Sequence, residues 1–157
     1  MARELKEGQR APAFTAESSE GGTVSLEDLK GKAVVLYIYP RDNTSGCTKE
    51  ACGFRDNMAR LETDGVVVLG VSRDSLKSHG NFIEKYDLNF PLLSDPDGKL
   101  ITAYGAWKVK TVKGEKNKSI DRSTFLIDGE GTLRRIWRKV KVDGHVDEVL
   151  AAVRELD

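Results

Sequence analysis

Cysteine and histidine are scarce in this sequence. Its 157 residues hold two cysteines, Cys47 and Cys52, and two histidines, His79 and His145. A zinc site needs about four ligands, and the histidines lie far from the cysteines and are not spaced as a ligand pair. Net charge is absent too, with 25 basic and 25 acidic residues. That excludes a role in which the whole molecule coats nucleic acid electrostatically. No apolar run approaches the ~18 residues of a membrane-spanning helix; the longest covers only 33–39. The first seven residues have no apolar secretory core and include Glu4 and Glu7, so neither a signal nor a transit peptide is expected. The expected location is the cytoplasm, where a cysteine pair gains no lasting structural disulfide. No repeat, low-complexity tract or linker interrupts the chain, and one domain over 1–157 is expected.

What is present alternates in a regular way. Residues 14–17 and 23–25 flank Glu20-Gly21-Gly22 and read as a hairpin. A helical turn over 26–30 ends at Gly31. Residues 33–39 are continuously apolar, rich in β-branched and aromatic types, and read as a strand buried on both faces. Pro40 ends that strand. After a polar loop, Cys47, Ala51, Phe54, Met58 and Leu61 recur at helical spacing, with Gly65 just past the end. Further strands are expected over 66–72, 90–94 and 124–127, and helices over 76–86, 99–104 and 146–156. Residues 133–142 should pair with 124–127 across the turn Asp128-Gly129-Glu130-Gly131. The order β-β, β-α-β-α-β-α, β-β-α describes an α/β fold. A mixed central sheet flanked by helices, preceded by an N-terminal hairpin, is the thioredoxin-like arrangement.

Cys47 falls in the first turn of the helix that follows the buried strand. Backbone N–H groups there lack intrahelical partners, and the helix dipole adds positive potential. Both favour thiolate over thiol, and thiolate is the reactive form of cysteine. Cys52 lies five residues on. On an intact helix the two Cα atoms would stand about 8.6 Å apart, beyond the roughly 7 Å a disulfide tolerates. Either the pair never bridges, or bridging requires local unwinding. Gly53 weakens the helix at that point by about 1 kcal/mol relative to alanine. The plainer alternative is that both are ordinary buried cysteines, and Cys47 does share the apolar face of the helix.

The segment Tyr39-Pro40-Arg41-Asp42-Asn43-Thr44-Ser45-Gly46-Cys47-Thr48-Lys49-Glu50-Ala51-Cys52 resembles the active-site segment of the peroxiredoxins. It is most similar to their peroxiredoxin Q, or bacterioferritin comigratory protein, branch. The family pattern Pro-x-x-x-Thr/Ser-x-x-Cys is met by Pro40, Thr44 and Cys47, and the segment 122–128 also matches. Many members have proline where Ser45 stands, so this loop is expected to be less rigid. The resemblance implies a peroxidase that reduces hydrogen peroxide and organic hydroperoxides. Cys47 would be oxidised to a sulfenic acid, Cys52 would close an intrachain disulfide, and a thioredoxin-type protein would reduce it. Arg122 would stabilise the thiolate and the leaving oxygen, and Thr44 would align the peroxide. Pro40 would shape the pocket, and Tyr39, Gly46 and Glu50 would line it, Glu50 by fixing the plane of Arg122. No cofactor or metal is implied, no nucleic acid or membrane partner, and the enzyme would be a monomer.

Other readings compete. A disulfide reductase of the same fold would carry Cys-x-x-Cys and a proline facing it, whereas this chain has a spacing of five and Arg122-Ser123-Thr124. Nothing specific favours a non-enzymatic binding module. Arg122 could be a surface arginine and Thr44 only a helix N-cap. His79 and His145 are expected to be solvated or capping residues, and Trp107 and Trp137 core or partly exposed aromatics. Lys108, Lys110, Lys113, Lys116 and Lys118 are expected in a solvated loop. That loop belongs to a basic region, 104–141, with eleven basic and four acidic residues, and it could draw in an acidic reductase.

Overall fold

The computed structural model describes residues 5–156, and for 109–112 and 116–118 the backbone alone. The strands are β1 (Thr15–Ser18), β2 (Thr23–Ser25), β3 (Ala33–Ile38), β4 (Val66–Ser72), β5 (Leu92–Ser94), β6 (Trp107–Val112), β7 (Glu115–Ile120), β8 (Ser123–Ile127) and β9 (Leu133–Trp137). The helices are α1 (Ser45–Asp56), α2 (Met58–Thr63), α3 (Leu76–Tyr86), α4 (Lys99–Ala103) and α5 (His145–Arg154), with a 3-10 turn at Leu26–Leu29. Seven strands form one sheet in the order β2-β1-β5-β4-β3-β8-β9. The pairs β3/β4 and β4/β5 are parallel and the others antiparallel, so the sheet is mixed, as expected.

The unbroken apolar run places β3 at the centre. Side chains alternate across a strand, and here both faces are covered. Val35, Tyr37 and Tyr39 pack into one core with Ala51 and Phe54 of α1, Phe82 of α3 and Val149 of α5. Val34, Leu36 and Ile38 pack into the other core with Leu100 and Ile101 of α4 and Phe125 of β8. Tyr37 stacks on Phe54 at 4.8 Å between ring centroids, tying α1 to the sheet. Among the described residues, no helix is long and apolar enough to cross a membrane.

Three elements differ from the sequence expectation. The helix expected to run from Cys47 to Leu61 breaks at Asn57, where the backbone leaves the helical region (φ −112°, ψ 6°). The Asn57 side-chain amide donates to the Gly53 carbonyl at 2.8 Å, a local bond that competes with the helical ladder. The apolar periodicity survives the break because Met58 and Leu61 still reach the core. The lysine-rich stretch is not a loop but the hairpin β6–β7, with Val112 paired to Glu115. Lys113 and Gly114 both have positive φ (51° and 79°), as a two-residue type I′ turn demands. Lys108 and Lys113 are exposed; the side chains of Lys110, Lys116 and Lys118 lie outside the described residues. Finally, β9 stops at Trp137, well short of residue 142. The chain then passes close to α1, where Lys49 pairs with Asp143 and Gly46 lies near Val142.

Candidate active site

The register of the sheet determines which side chains meet. Ile38 pairs with Ser123, so the next residues outward, Tyr39 and Arg122, sit level where β3 gives way to the loop before α1. The Arg122 carbonyl accepts from the Val140 N–H at 3.0 Å, which pins its backbone. Cys47 lies in the first turn of α1, and Glu50 lies three residues further along the helix. The guanidinium therefore arrives between them.

Arg122 Nη2 donates to Cys47 Sγ at 3.1 Å, and Nη1 donates to Glu50 Oε1 at 2.7 Å. Gly46 makes the approach possible: a Cβ there would stand 3.2 Å from Arg122 Nη2. Burial alone would lower the Arg122 pKa, but Glu50 and Cys47 more than offset it and raise it above its ordinary value. Glu50 shows the opposite balance. It is wholly buried, its second carboxylate oxygen has no hydrogen-bond partner, and burial pushes its pKa up to about 7. The arginine beside it pulls back only part of that shift. Arg122 is thus held in plane by a carboxyl that titrates near neutrality, with its other nitrogen aimed at sulfur. Cys47 itself is only 1% exposed. The sulfur is neither free at the surface nor isolated in an apolar interior.

The loop leading into α1 contributes Pro40, Arg41 and Thr44 to an open groove of about 600 Å³, which Arg73, Trp107 and Ile120 also line and the β6–β7 hairpin walls on one side. Thr44 occupies the N-cap position of α1 without capping it. Its hydroxyl donates instead to the Arg41 carbonyl at 3.0 Å, across an exposed loop. Tyr39 does not line this groove. Its ring is buried, and its hydroxyl donates to Asp42 Oδ1 at 2.6 Å, so it anchors the loop rather than facing a ligand. Burial and the nearby charges of Tyr37 and Asp42 raise its pKa well above the ordinary value.

Cys52 is half-buried on the same helix, and neither cysteine is in a disulfide. A shallow cavity beside it is lined by Lys49, Gly53, Val142 and Val146. Gly53 is more than a weak point in the helix. A Cβ there would meet Val146 Cγ2 of α5 at 2.8 Å, so the glycine lets α5 dock against α1.

Residues 7–136 match the AhpC/TSA family, a span that includes Cys47, Cys52 and Arg122. The chain belongs to the AhpC/TSA family, in its peroxiredoxin Q/Bcp branch. A Coxiella burnetii relative is 56% identical over 146 residues, covering 93% of this chain and 97% of the relative. Peroxiredoxin Bcp of Bacillus subtilis is 48% identical, covering 95% of each chain. A solved structure of the Xanthomonas campestris bacterioferritin comigratory protein superposes with a TM-score of 0.88 at 42% identity, covering 90% of each chain. That protein was studied for its alkyl peroxide reduction activity, in trapped intermediate and ligand complexes. The fold of this family member is accordingly thioredoxin-like, as expected.

Both histidines depart from expectation. They are buried rather than solvated, because each finds partners inside. His145 opens α5, with Nε2 at 2.8 Å from Thr124 Oγ1 of β8 and Nδ1 at 3.5 Å from Glu148. Burial lowers its pKa, and Glu148 offsets part of that. His79 contacts Asp42, which the sequence places in a polar loop with no sign that its side chain turns inward. The 37-residue separation left no local spacing from which to read that pair.

Proposed function

We propose that Cys47 is the peroxidatic residue of a thiol-dependent peroxidase, the activity of the peroxiredoxins, and that Cys52 resolves it. The supporting observation is the chain of contacts from Glu50 through Arg122 to the Cys47 sulfur. A guanidinium at 3.1 Å stabilises a thiolate and, as the O–O bond breaks, the negative charge on the departing oxygen. The thiolate attacks the terminal oxygen of a hydroperoxide. An S–O bond forms, the O–O bond breaks, and the alkoxide takes a proton to leave as an alcohol, or as water from hydrogen peroxide. Burial of Cys47 restricts approach to a slender end-on group, which a hydroperoxide presents. Thr44, exposed beside Pro40 at the edge of the groove, would align the peroxide once its hydroxyl turns from the Arg41 carbonyl.

The sulfenic acid on Cys47 then condenses with the Cys52 thiol, forming an S–S bond and releasing water. Five residues of intact helix hold the two sulfurs apart, so α1 must unwind over its first turns. A dithiol protein reduces the disulfide by exchange, regenerating both thiols and becoming oxidised itself. This reading extends, on the family resemblance, to a thioredoxin-type reductant, a monomeric enzyme and a cytoplasmic location. The test is steady-state peroxide consumption with thioredoxin as reductant. The parent chain should turn over, Cys47→Ser should not, and Cys52→Ser should be oxidised once without recycling. Undiminished turnover by Cys47→Ser would overturn the assignment.

A further inference from the structure

A buried cluster lies beneath the loop that joins β3 to α1. Asp42 is 5% exposed, although its neighbours Arg41, Asn43 and Thr44 are all exposed. Its Oδ1 accepts from the Tyr39 hydroxyl at 2.6 Å, and its Oδ2 accepts from the Ser78 hydroxyl at 2.8 Å. The same Oδ2 lies 2.7 Å from His79 Nδ1. His79 is fully buried on α3, and its other nitrogen, Nε2, lies 2.9 Å from the Leu93 carbonyl. A carbonyl can only accept, so Nε2 carries a proton. At Nδ1 the partner is the Asp42 carboxyl, which also accepts from two hydroxyls, so one proton is held between ring and carboxyl. The ring thus bridges the Asp42 carboxyl and the Leu93 carbonyl. The loop backbone is held from a third side, where the Asp42 N–H donates to Asp74 Oδ2 at 2.8 Å.

We propose that His79 is a positioning residue for peroxide reduction: its bond to Asp42 fixes the Pro40–Thr44 loop in the arrangement that presents Thr44 to a peroxide bound at Cys47. A buried hydrogen-bonded polar pair adds little net stability over apolar packing of the same volume, so stability alone does not account for it. What the pair adds is a defined loop position. Asp42 lies two residues from Thr44, and Asn43 between them takes a left-handed φ of 62°, a conformation asparagine adopts readily and that turns the chain from the anchored Asp42 to Thr44. The cluster is built from β3, α3 and the ends of β4 and β5, none of which need unwind for Cys52 to reach Cys47. The loop therefore stays anchored while α1 opens behind it.

This rests on Cys47 being the residue oxidised, and two reactions of that sulfur separate the ideas. Alkylation by iodoacetamide needs an available thiolate but no aligned peroxide; oxidation by a hydroperoxide needs both. His79→Leu should lower the second-order rate constant for peroxide oxidation of Cys47 about tenfold or more, while leaving its alkylation within about twofold. His79→Asn, whose side-chain amide can still donate towards Asp42, should recover most of the oxidation rate. Ser78→Ala, which removes one donor to the same carboxylate without touching the helix backbone, should show the same split to a smaller degree if His79→Leu does not fold. Parallel loss of both rates, or loss of neither, would overturn the proposal. A parent Cys47 that resists hydroperoxide would instead overturn the peroxidase reading itself.

Discussion

At the scale of single residues, the site is a balance around one guanidinium. Arg122 serves the Cys47 sulfur and the Glu50 carboxyl at once, so its loss has two separable consequences. Arg122→Met should slow peroxide oxidation of Cys47 by roughly 10²–10³, the scale of removing one donor to a developing anion. It should also cost a few kcal/mol of stability, because Glu50 is left buried and unpaired. Adding Glu50→Gln to that variant should recover stability in urea unfolding but not the rate; recovery of both would contradict the division. Glu50 also ties stability to pH. Its folded pKa, about 7, lies above the ordinary carboxylate value of 4.5, so between those values the folded chain binds the proton that the unfolded chain has lost. The Glu50 contribution is therefore most favourable below about pH 4.5 and declines as pH rises through about 7. Comparing urea unfolding at pH 5 and pH 8 should show the parent losing ground to Glu50→Gln at the higher pH, by up to roughly 3 kcal/mol; a pH-independent difference would refute it. The meeting of Arg122 with Cys47 was legible because the family pattern is written in residue types at fixed spacing. Asp42 and His79 were not, because only the folded sheet and α3 bring them together.

At the scale of elements, α1 has opposed demands. In the proposed cycle it must hold Cys47 against Arg122, then release it to Cys52. Gly53 sits where the two demands meet, and its replacement sets two effects against each other. Gly53→Ala should gain about 1 kcal/mol of helix propensity, but its methyl would press on Val146, a β-branched residue with little χ1 freedom on α5. Overpacking of that kind typically costs about 1–3 kcal/mol, so net destabilisation is expected in urea unfolding. A stabilised variant would mean that α5 yields more easily than the contact implies. Element types were largely legible from sequence because β3 is apolar on every residue and α1 repeats its apolar positions at helical spacing. The errors have local causes. Asn57 ends a helix whose apolar periodicity continues beyond it. The β6–β7 hairpin was hidden by its lysines, although Lys113-Gly114 between Val-Lys-Thr-Val and Glu-Lys-Asn-Lys carries the turn signal.

At the scale of the whole molecule, neutrality hides polarity. Residues 104–141, which include the hairpin along the groove, hold eleven basic and four acidic side chains in a chain of zero net charge. If that region steers an acidic thioredoxin-type partner, the rate of reduction by that partner should fall as salt rises past about 0.1 M, where screening shortens to about 10 Å. Reduction by an uncharged small dithiol should not fall, and a partner rate equally insensitive to salt would remove the idea. In the proposed cycle the same architecture sets the order of events at sulfur. The sheet brings Arg122 to Cys47 in the folded state, whereas Cys52 waits behind five residues of helix. The most direct measurement is site-resolved mass spectrometry of Cys52→Ser after a single equivalent of hydroperoxide, with a sulfenic-acid trap present. The account predicts one trap molecule bonded to the Cys47 sulfur, the sulfenic oxygen leaving as water, and a matching loss of peroxide. Peroxide that survives, or oxygen found elsewhere with Cys47 still a free thiol, would contradict it.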